Sequence, residues 1–306
     1  MLIATDTHVY VHSSYSAAPK ALYEDGGIQR IARRGDAAVI ALKGGDLVVI
    51  DPGGTRRMAT GVPEEVAALL ALSTDPLNLL IGVDDGAFVY RLQGDGPAER
   101  VESFDALACR SDWYTPWGGP PAVRAFAASM DGWVYADIHV GSIMRSPDEG
   151  ETWEPVTPDL HVDVHEVATS PVDAGRLYAN TADAVFISDD RGTTWVHRPD
   201  GLSARYGRAI ATHPADRDVV LASVSNGPGG GDARLYRTED AGMTWAHVAD
   251  GFPASCEKNI DTYQVAFTPD GTAWAAVGST LYSGRDGGAE WDAVWEAPDA
   301  IRMLTA

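Results

Sequence analysis

Lysine is nearly absent from this sequence. Lys20, Lys43 and Lys258 are the only three among 23 basic residues, set against 44 Asp and Glu, for a net charge of −21 over 306 residues. A surface this acidic repels polyanions, which argues against nucleic acid or an anionic membrane as a partner. Cysteine is also scarce: Cys109 and Cys256 are the only two. A pair cannot make a disulfide framework, and both fall in the long insertions of the repeat described below. They read as free thiols of a reducing cytosol, with a bridge between the two insertions as the alternative. No apolar run approaches the roughly 18 residues of a membrane span, and no leader precedes the first expected strand, so the chain reads as soluble, cytoplasmic and monomeric. No helical period persists over a long window. Glu64–Leu72 alone passes for a helix, and its place in the repeat argues for a strand.

What is abundant is punctuation: 32 glycines and 18 prolines, as many short strands and turns require. One motif recurs as Ser146-Pro-Asp148-Glu-Gly150-Glu-Thr152-Trp153, Ser188-Asp-Asp190-Arg-Gly192-Thr-Thr194-Trp195 and Thr238-Glu-Asp240-Ala-Gly242-Met-Thr244-Trp245. A degenerate fourth copy runs from Gly284 to Trp291. The tryptophans are 42, 50 and 46 residues apart, the period of propeller blades. The Asp is expected to bond backbone amides two residues on and close a tight turn, with Gly supplying positive φ. Thr and Trp then re-enter a strand.

A recurrent innermost strand lays the chain out as seven blades. Its copies begin at Gln29, Ala68, Arg124, His165, Arg208, Tyr263 and Ile301, at spacings of 39, 56, 41, 43, 55 and 38. The two long spacings place insertions before blades three and six. The last strand ends at Ala306 and leaves its blade three strands short. Leu2–Thr5, His8–Ser13 and about Lys20–Tyr23 supply them, so both chain ends close blade seven of a single domain, residues 1–306.

The motif resembles the Asp-box (BNR) repeat of sialidases, sortilin-type receptors and photosystem assembly factors. The resemblance implies an all-β, seven-bladed, sialidase-like and WD40/YVTN-like propeller, with the boxes as structural hairpins on the face opposite the functional one. The acidic, lysine-poor composition also resembles proteins of salt-loving archaea, where screening makes self-repulsion tolerable. A high-GC codon bias is the alternative source.

On the functional face the resemblance puts the loops leading into each innermost strand and those joining second to third strands. The first set brings Trp113, Tyr114, Trp117, His161, Asp163, Arg205, Tyr206, Lys258, Asn259 and Asp261; the second brings His139, Asp183 and Asn226. Gln29, Arg124, His165, Arg208 and Tyr263 are expected to ring the channel. Crowded charge at a narrow mouth is costly unless a ligand or a polar network uses it. Pairing of the arginines with Glu166 or Asp261 would satisfy them without any function.

Three chemistries fit. Arg124 and Arg208 are placed to grip an anionic or sugar-like ligand, with His165, Glu166, Tyr206 and Tyr263 as catalytic candidates for a glycosidase-like hydrolase. Arg302 is expected to point away. No Tyr/Phe-Arg-Ile-Pro motif is present and the blades number seven, which argues against a true sialidase. Alternatively, His161-Val-Asp163-Val-His165 alternates, so on a strand all three would face one way and, with His139, hold a divalent ion such as zinc for hydrolysis or a lyase step. A hydrogen-bonded turn explains the same run. The third is a non-catalytic scaffold, its protein partner anchored on Trp113, Tyr114 and Trp117. Those aromatics equally suit sugar stacking, a lid, or packing of the insertion.

Overall fold

The computed structural model describes residues 1–12, 18–156 and 159–306. Its strands form seven four-stranded antiparallel sheets. The innermost strands are Ile28–Arg34, Val66–Thr74, Val123–Ala128, Val164–Thr169, Tyr206–Thr212, Val265–Phe267 and Met303–Thr305. Each touches the innermost strands of its two neighbours, and the last touches the first, which closes a β-propeller. The helix-like stretch around Glu64 is the strand Val66–Thr74.

Blade seven is shared by the termini. Met303–Thr305 pairs with Leu2–Ala4, in the register Leu2↔Thr305, Ile3↔Leu304 and Ala4↔Met303. His8–Val11 and Lys20–Glu24 complete the sheet; the expected end at Ser13 lies outside the described residues. Between blades, second strands such as Ala37–Leu42, Leu77–Val83 and Val134–Ile138 are apolar and buried nearly throughout, because each is covered on both faces. The insertion before blade three forms a short helix, Glu102–Asp105. Phe104 packs there edge-on to Trp153 at 5.2 Å.

The boxes close differently from the sequence expectation. Asp190 Oδ1 accepts from the backbone N–H of Thr194, four residues on rather than two, at 2.7 Å, and Oδ2 accepts from its hydroxyl at 2.8 Å. Ser188 Oγ donates to Asp190 Oδ1 at 2.8 Å and accepts from Gly192 N–H at 2.8 Å. The turn needs two consecutive positive-φ residues, Arg191 and Gly192, so the chain reverses over a longer span than a simple Asx turn. Asp148 and Asp240 repeat the pattern.

Burial by itself would raise the Asp190 carboxyl. The bonds from Thr194 and Ser188 outweigh burial and hold it below the usual range. Its stabilisation is therefore present above the unfolded carboxyl pKa and lost as pH falls through the folded value. Asp190→Ala is expected to cost about 1–2 kcal/mol at pH 7 and progressively less as pH falls below the usual carboxylate range, measured by denaturant titration at several pH values. A pH-independent cost would show that the hydrogen bonds are not its source.

Candidate functional site

Five of the innermost strands carry a β-bulge at the same height. Register slips between Ile28 and Arg30, Val66 and Ala68, Val123 and Ala125, Val164 and Glu166, and Gly207 and Ile210. The extra residues include Gln29, Arg124, His165 and Arg208. A bulge re-aims one side chain, and here it brings Gln29, Arg124 and Arg208 onto the wall of one cavity while His165 stays buried. Buried polar groups on the second strands hold the bulges. Asp137 Oδ1 accepts from Ala125 N–H at 2.5 Å, and Ser223 Oγ accepts from Ala209 N–H at 2.9 Å. Asn180 Nδ2 donates to the carbonyls of Ala209 and Ser223 at 2.7 and 2.9 Å. A Cβ on Gly207 would run into Asn180 Oδ1, so that position admits only glycine.

Blade six departs from this pattern. Asp261–Gln264 peels away, and Tyr263, with φ of 68°, precedes its strand instead of starting it. The Tyr263 hydroxyl donates to Arg124 O of blade three at 2.8 Å, and its carbonyl accepts from Leu304 N–H of blade seven at 2.7 Å. Glu166 Oε1 accepts from Tyr263 N–H at 3.3 Å, and Oε2 accepts from Ile210 N–H at 3.0 Å. Tyr263 thus crosses the channel, and Glu166 is a buried tie between blades. Burial pushes both groups well above their ordinary pKa values, which suits neither a tyrosinate nucleophile nor an ionised base.

A cavity of about 510 Å³ opens at the mouth, bounded by Arg30, Arg124, Arg208, Asp261, Tyr263 and Arg302 among others. Arg302 lines it, contrary to the sequence expectation, because the last strand starts only at Met303. It pairs with Asp6 through two bonds of 3.2 and 3.0 Å. Arg124 and Arg208 are less well served. The carboxylates nearest them, on Asp163 and Asp261, are 3.9 and 3.4 Å away. Buried Arg124 Nη1 and Arg208 Nε have no hydrogen-bond partner among the described residues. Desolvation, then the charge of Arg208, lowers the Arg124 pKa. Sequence reasoning missed Arg30, Lys43, Glu65, Asp84 and Gln264 on this wall.

The other candidates gather on the far side of the two arginines, off the cavity wall. His165 is fully buried. Its Nδ1 meets Gly207 O, which can only accept, so Nδ1 carries the proton. Nε2 faces Asp163 Oδ1 at 3.3 Å, a contact that attracts only with a proton between them. Desolvation lowers the His165 pKa, and Asp163 partly restores it. Tyr206 packs on His165 at 4.7 Å, and the Arg208 guanidinium lies 5.1 Å from the centre of the Tyr206 ring. His139 is pushed down to about 4 by burial and by Arg124, and Trp117 covers it at 4.9 Å.

The metal set does not assemble. The strand begins at Val164, and His161 Nδ1 turns back to accept from Asp163 N–H at 3.1 Å, so the three residues do not share a face. Among the described residues no group of three or more His, Cys, Asp or Glu is placed to hold an ion. Trp113 is buried against Phe104 and under Arg110, so it packs the insertion onto the ring and forms no wall. Tyr114 and Trp117 are exposed, at 54% and 66%. Asn259 donates to the carbonyls of Gly227 and Pro228, tying the two loops together beside Asn226. Both cysteines are free. Among the described residues no helix is long and apolar enough to cross a membrane.

Two other hollows are chemically duller. One on the rim is spanned by the Arg91–Glu151 ion pair at 2.6 Å, and one on the opposite face is lined by Met1, His12, Arg33 and Trp274.

Comparison with known proteins agrees with the fold. Residues 141–264 match the Sortilin-Vps10 family, described as sortilin, neurotensin receptor 3. No curated protein matches the sequence. An ancestral GH74 enzyme superposes with a TM-score of 0.67 at 15% identity, over 90% of this chain and 39% of that one. The GH74 xyloglucanase of Xanthomonas campestris gives 0.63 at 16%, over 88% and 45%. This chain thus spans less than half of either enzyme. YCF48 bound to D1 peptide gives 0.60 at 16%, over 89% and 87%. The fold is a seven-bladed Asp-box β-propeller, and it is shared by GH74 enzymes and by a peptide-bound protein.

Proposed function

We propose that this propeller binds a small anionic or polar ligand at its channel mouth, with the ligand's acidic group held by Arg124 and Arg208. One observation carries the reading: two guanidinium groups face one cavity with buried donors that no carboxylate reaches at hydrogen-bond distance. A ligand anion would replace these long contacts to Asp163 and Asp261 with a bidentate grip, and a dry wall strengthens the bond. Beside them Asp163 Oδ1 stands 3.3 Å from His165 Nε2, which makes the two a candidate acid–base pair for hydrolysis or elimination of a bound substrate. Turnover would require that pair to reach the cavity, from whose wall it is set back.

The test is calorimetric titration of a panel of carboxylates, uronates and phosphate esters against the wild type and an Arg124→Gln plus Arg208→Gln variant. A ligand should bind the wild type and lose about 100-fold or more in affinity in the variant. Thermal stability of the unliganded variant should hold or rise, because two poorly paired charges leave the interior. A sharp loss of stability would make the arginines structural and end the proposal.

The scaffold reading has its own support. Tyr114, Trp117 and Val162 are exposed on adjoining loops, since Tyr114 N–H donates to Val140 O and Ser142 N–H to Val162 O. A peptide-bound protein is also among the similar structures.

A further inference from the structure

We infer that the ligand of the channel mouth is a dicarboxylate whose second acidic end is held on blade one by Arg30 and Lys43. The inference rests on the channel-mouth reading and extends it from one acidic group to two. Arg30, Lys43, Arg124, Arg208 and Arg302 all line the cavity, in a chain whose 23 basic residues face 44 acidic ones. Basic groups so concentrated on an acidic protein draw anions to this mouth. Of the carboxylates on the same wall, Asp6 pairs with Arg302 at 3.0 Å and Asp261 stands 3.4 Å from Arg208, so neither serves blade one.

Arg30 is held in place but not neutralised. The bulges of blades one and two slip at Gln29 and Ala67, and a bulge leaves main-chain groups outside the ladder. Arg30 donates to two of these, through Nε to Ala67 O and through Nη1 to Gln29 O, the latter at 2.6 Å. Carbonyls fix the guanidinium plane without cancelling its charge. Among the described residues Arg30 Nη2 has no partner, and no carboxylate forms an ion pair with Arg30 or Lys43. The stem of Lys43 lies against Gly27, beside the same bulge. Tyr263 stands between the two ends. Its hydroxyl donates to Arg124 O of blade three at 2.8 Å, and the Arg30 guanidinium of blade one lies 5.9 Å from its ring centre. A cavity of about 510 Å³ has the size of a small-molecule site and exceeds what one carboxylate fills. Glu65 and Asp84 also line it, from blade two, which separates blade one from blade three. Asp84 feels Arg30 less than its own burial and Glu65, which hold its carboxyl above the usual range. These two carboxylates favour hydroxyl donors on the midsection of the ligand and leave the charge of Arg30 for its far end.

The probes are glutarate, adipate and suberate, each beside the monocarboxylate and the ω-amino acid of the same chain length, titrated calorimetrically at pH 7 in low salt. One dicarboxylate should bind about tenfold or more tightly than its matched monocarboxylate. Arg30→Gln should bring that ratio close to one and leave monocarboxylate binding unchanged, which also shows that the site is intact. Lys43 makes no side-chain hydrogen bond among the described residues, so Lys43→Gln tests the same end without touching the bulges; it should lower the ratio about threefold. Equal binding of dicarboxylate and monocarboxylate by the wild type overturns the inference and leaves the channel-mouth reading standing. A ratio that neither substitution changes overturns it as well. So does an ω-amino acid that binds better than its dicarboxylate, because Glu65 and Asp84 would then take the far end. If a uronate or phosphate ester binds through Arg124 and Arg208 while no dicarboxylate does, this inference alone falls; if nothing binds, both fall.

Discussion

Deleting Met303–Ala306 is expected to remove the folded state outright. The deleted strand is the innermost one of blade seven, and Met303 and Leu304 are buried. It pairs with Leu2–Ala4, touches blades six and one, and donates through Leu304 N–H to Tyr263 O. Its loss uncovers fully buried Ile3 and opens the ring between blades that close only through it. Each large apolar side chain returned to water costs about 1.5–3 kcal/mol. Together with the orphaned backbone groups, the loss reaches the roughly 5–15 kcal/mol that stabilises a domain. The measurement is far-UV dichroism through a thermal or urea transition, in the salt that best supports the wild type. The truncated chain should show no cooperative transition, while removal of exposed Ala306 alone should be neutral. A truncated chain melting as the wild type does would mean that the blades hold the ring without this closure.

The second large effect is expected from Asp137→Asn. Asp137 is fully buried, and desolvation pushes its carboxyl up to about 7, although Arg124 and the Ala125 N–H pull the other way. An unfolded Asp titrates near 3.9. Between those values the folded protein binds a proton that the unfolded chain does not. This contribution is therefore complete below about pH 4 and disappears as pH rises through 7. Asn keeps the oxygen that accepts from Ala125 and carries no charge. The variant should match the wild type near pH 4 and exceed it at pH 8 by about 4 kcal/mol. Urea midpoints across that range measure the effect. A constant difference at every pH would show that Asp137 does not change ionisation on folding.

The ring was legible because its parts repeat. Four spaced tryptophans and seven similar inner strands fix blade number, and a missing three strands at one end with three spare at the other fixes the closure. The bulges were not legible, since a one-residue slip leaves the apolar pattern almost intact. Their trace is nevertheless present: Tyr135-Ala136-Asp137, Tyr178-Ala179-Asn180 and Leu221-Ala222-Ser223 each place one polar residue late in a buried strand. That residue satisfies backbone groups the bulge has unpaired.

The site was harder to read. Arg124, Arg208, Asp261 and Tyr263 do meet at one cavity, as their equivalent positions in the repeat implied. The His161–His165 alternation misled, because alternation places side chains on one face only where the backbone is extended, and here the strand starts at Val164. Trp113 misled for another reason. Exposure of an aromatic depends on what folds beneath it, and the insertion supplies Phe104 and Arg110.

Sequence by itself determined the propeller, its seven blades, its hairpins and its acidity, all of which are properties of local pattern and composition. Only the tertiary structure decided where the cavity opens and which arginine nitrogens are left without a hydrogen bond. It also decided that Tyr263 spans the bore from blade six to blade three. Those facts depend on distances between residues up to 139 positions apart, and a repeat constrains each blade without saying what its neighbour's loops will reach.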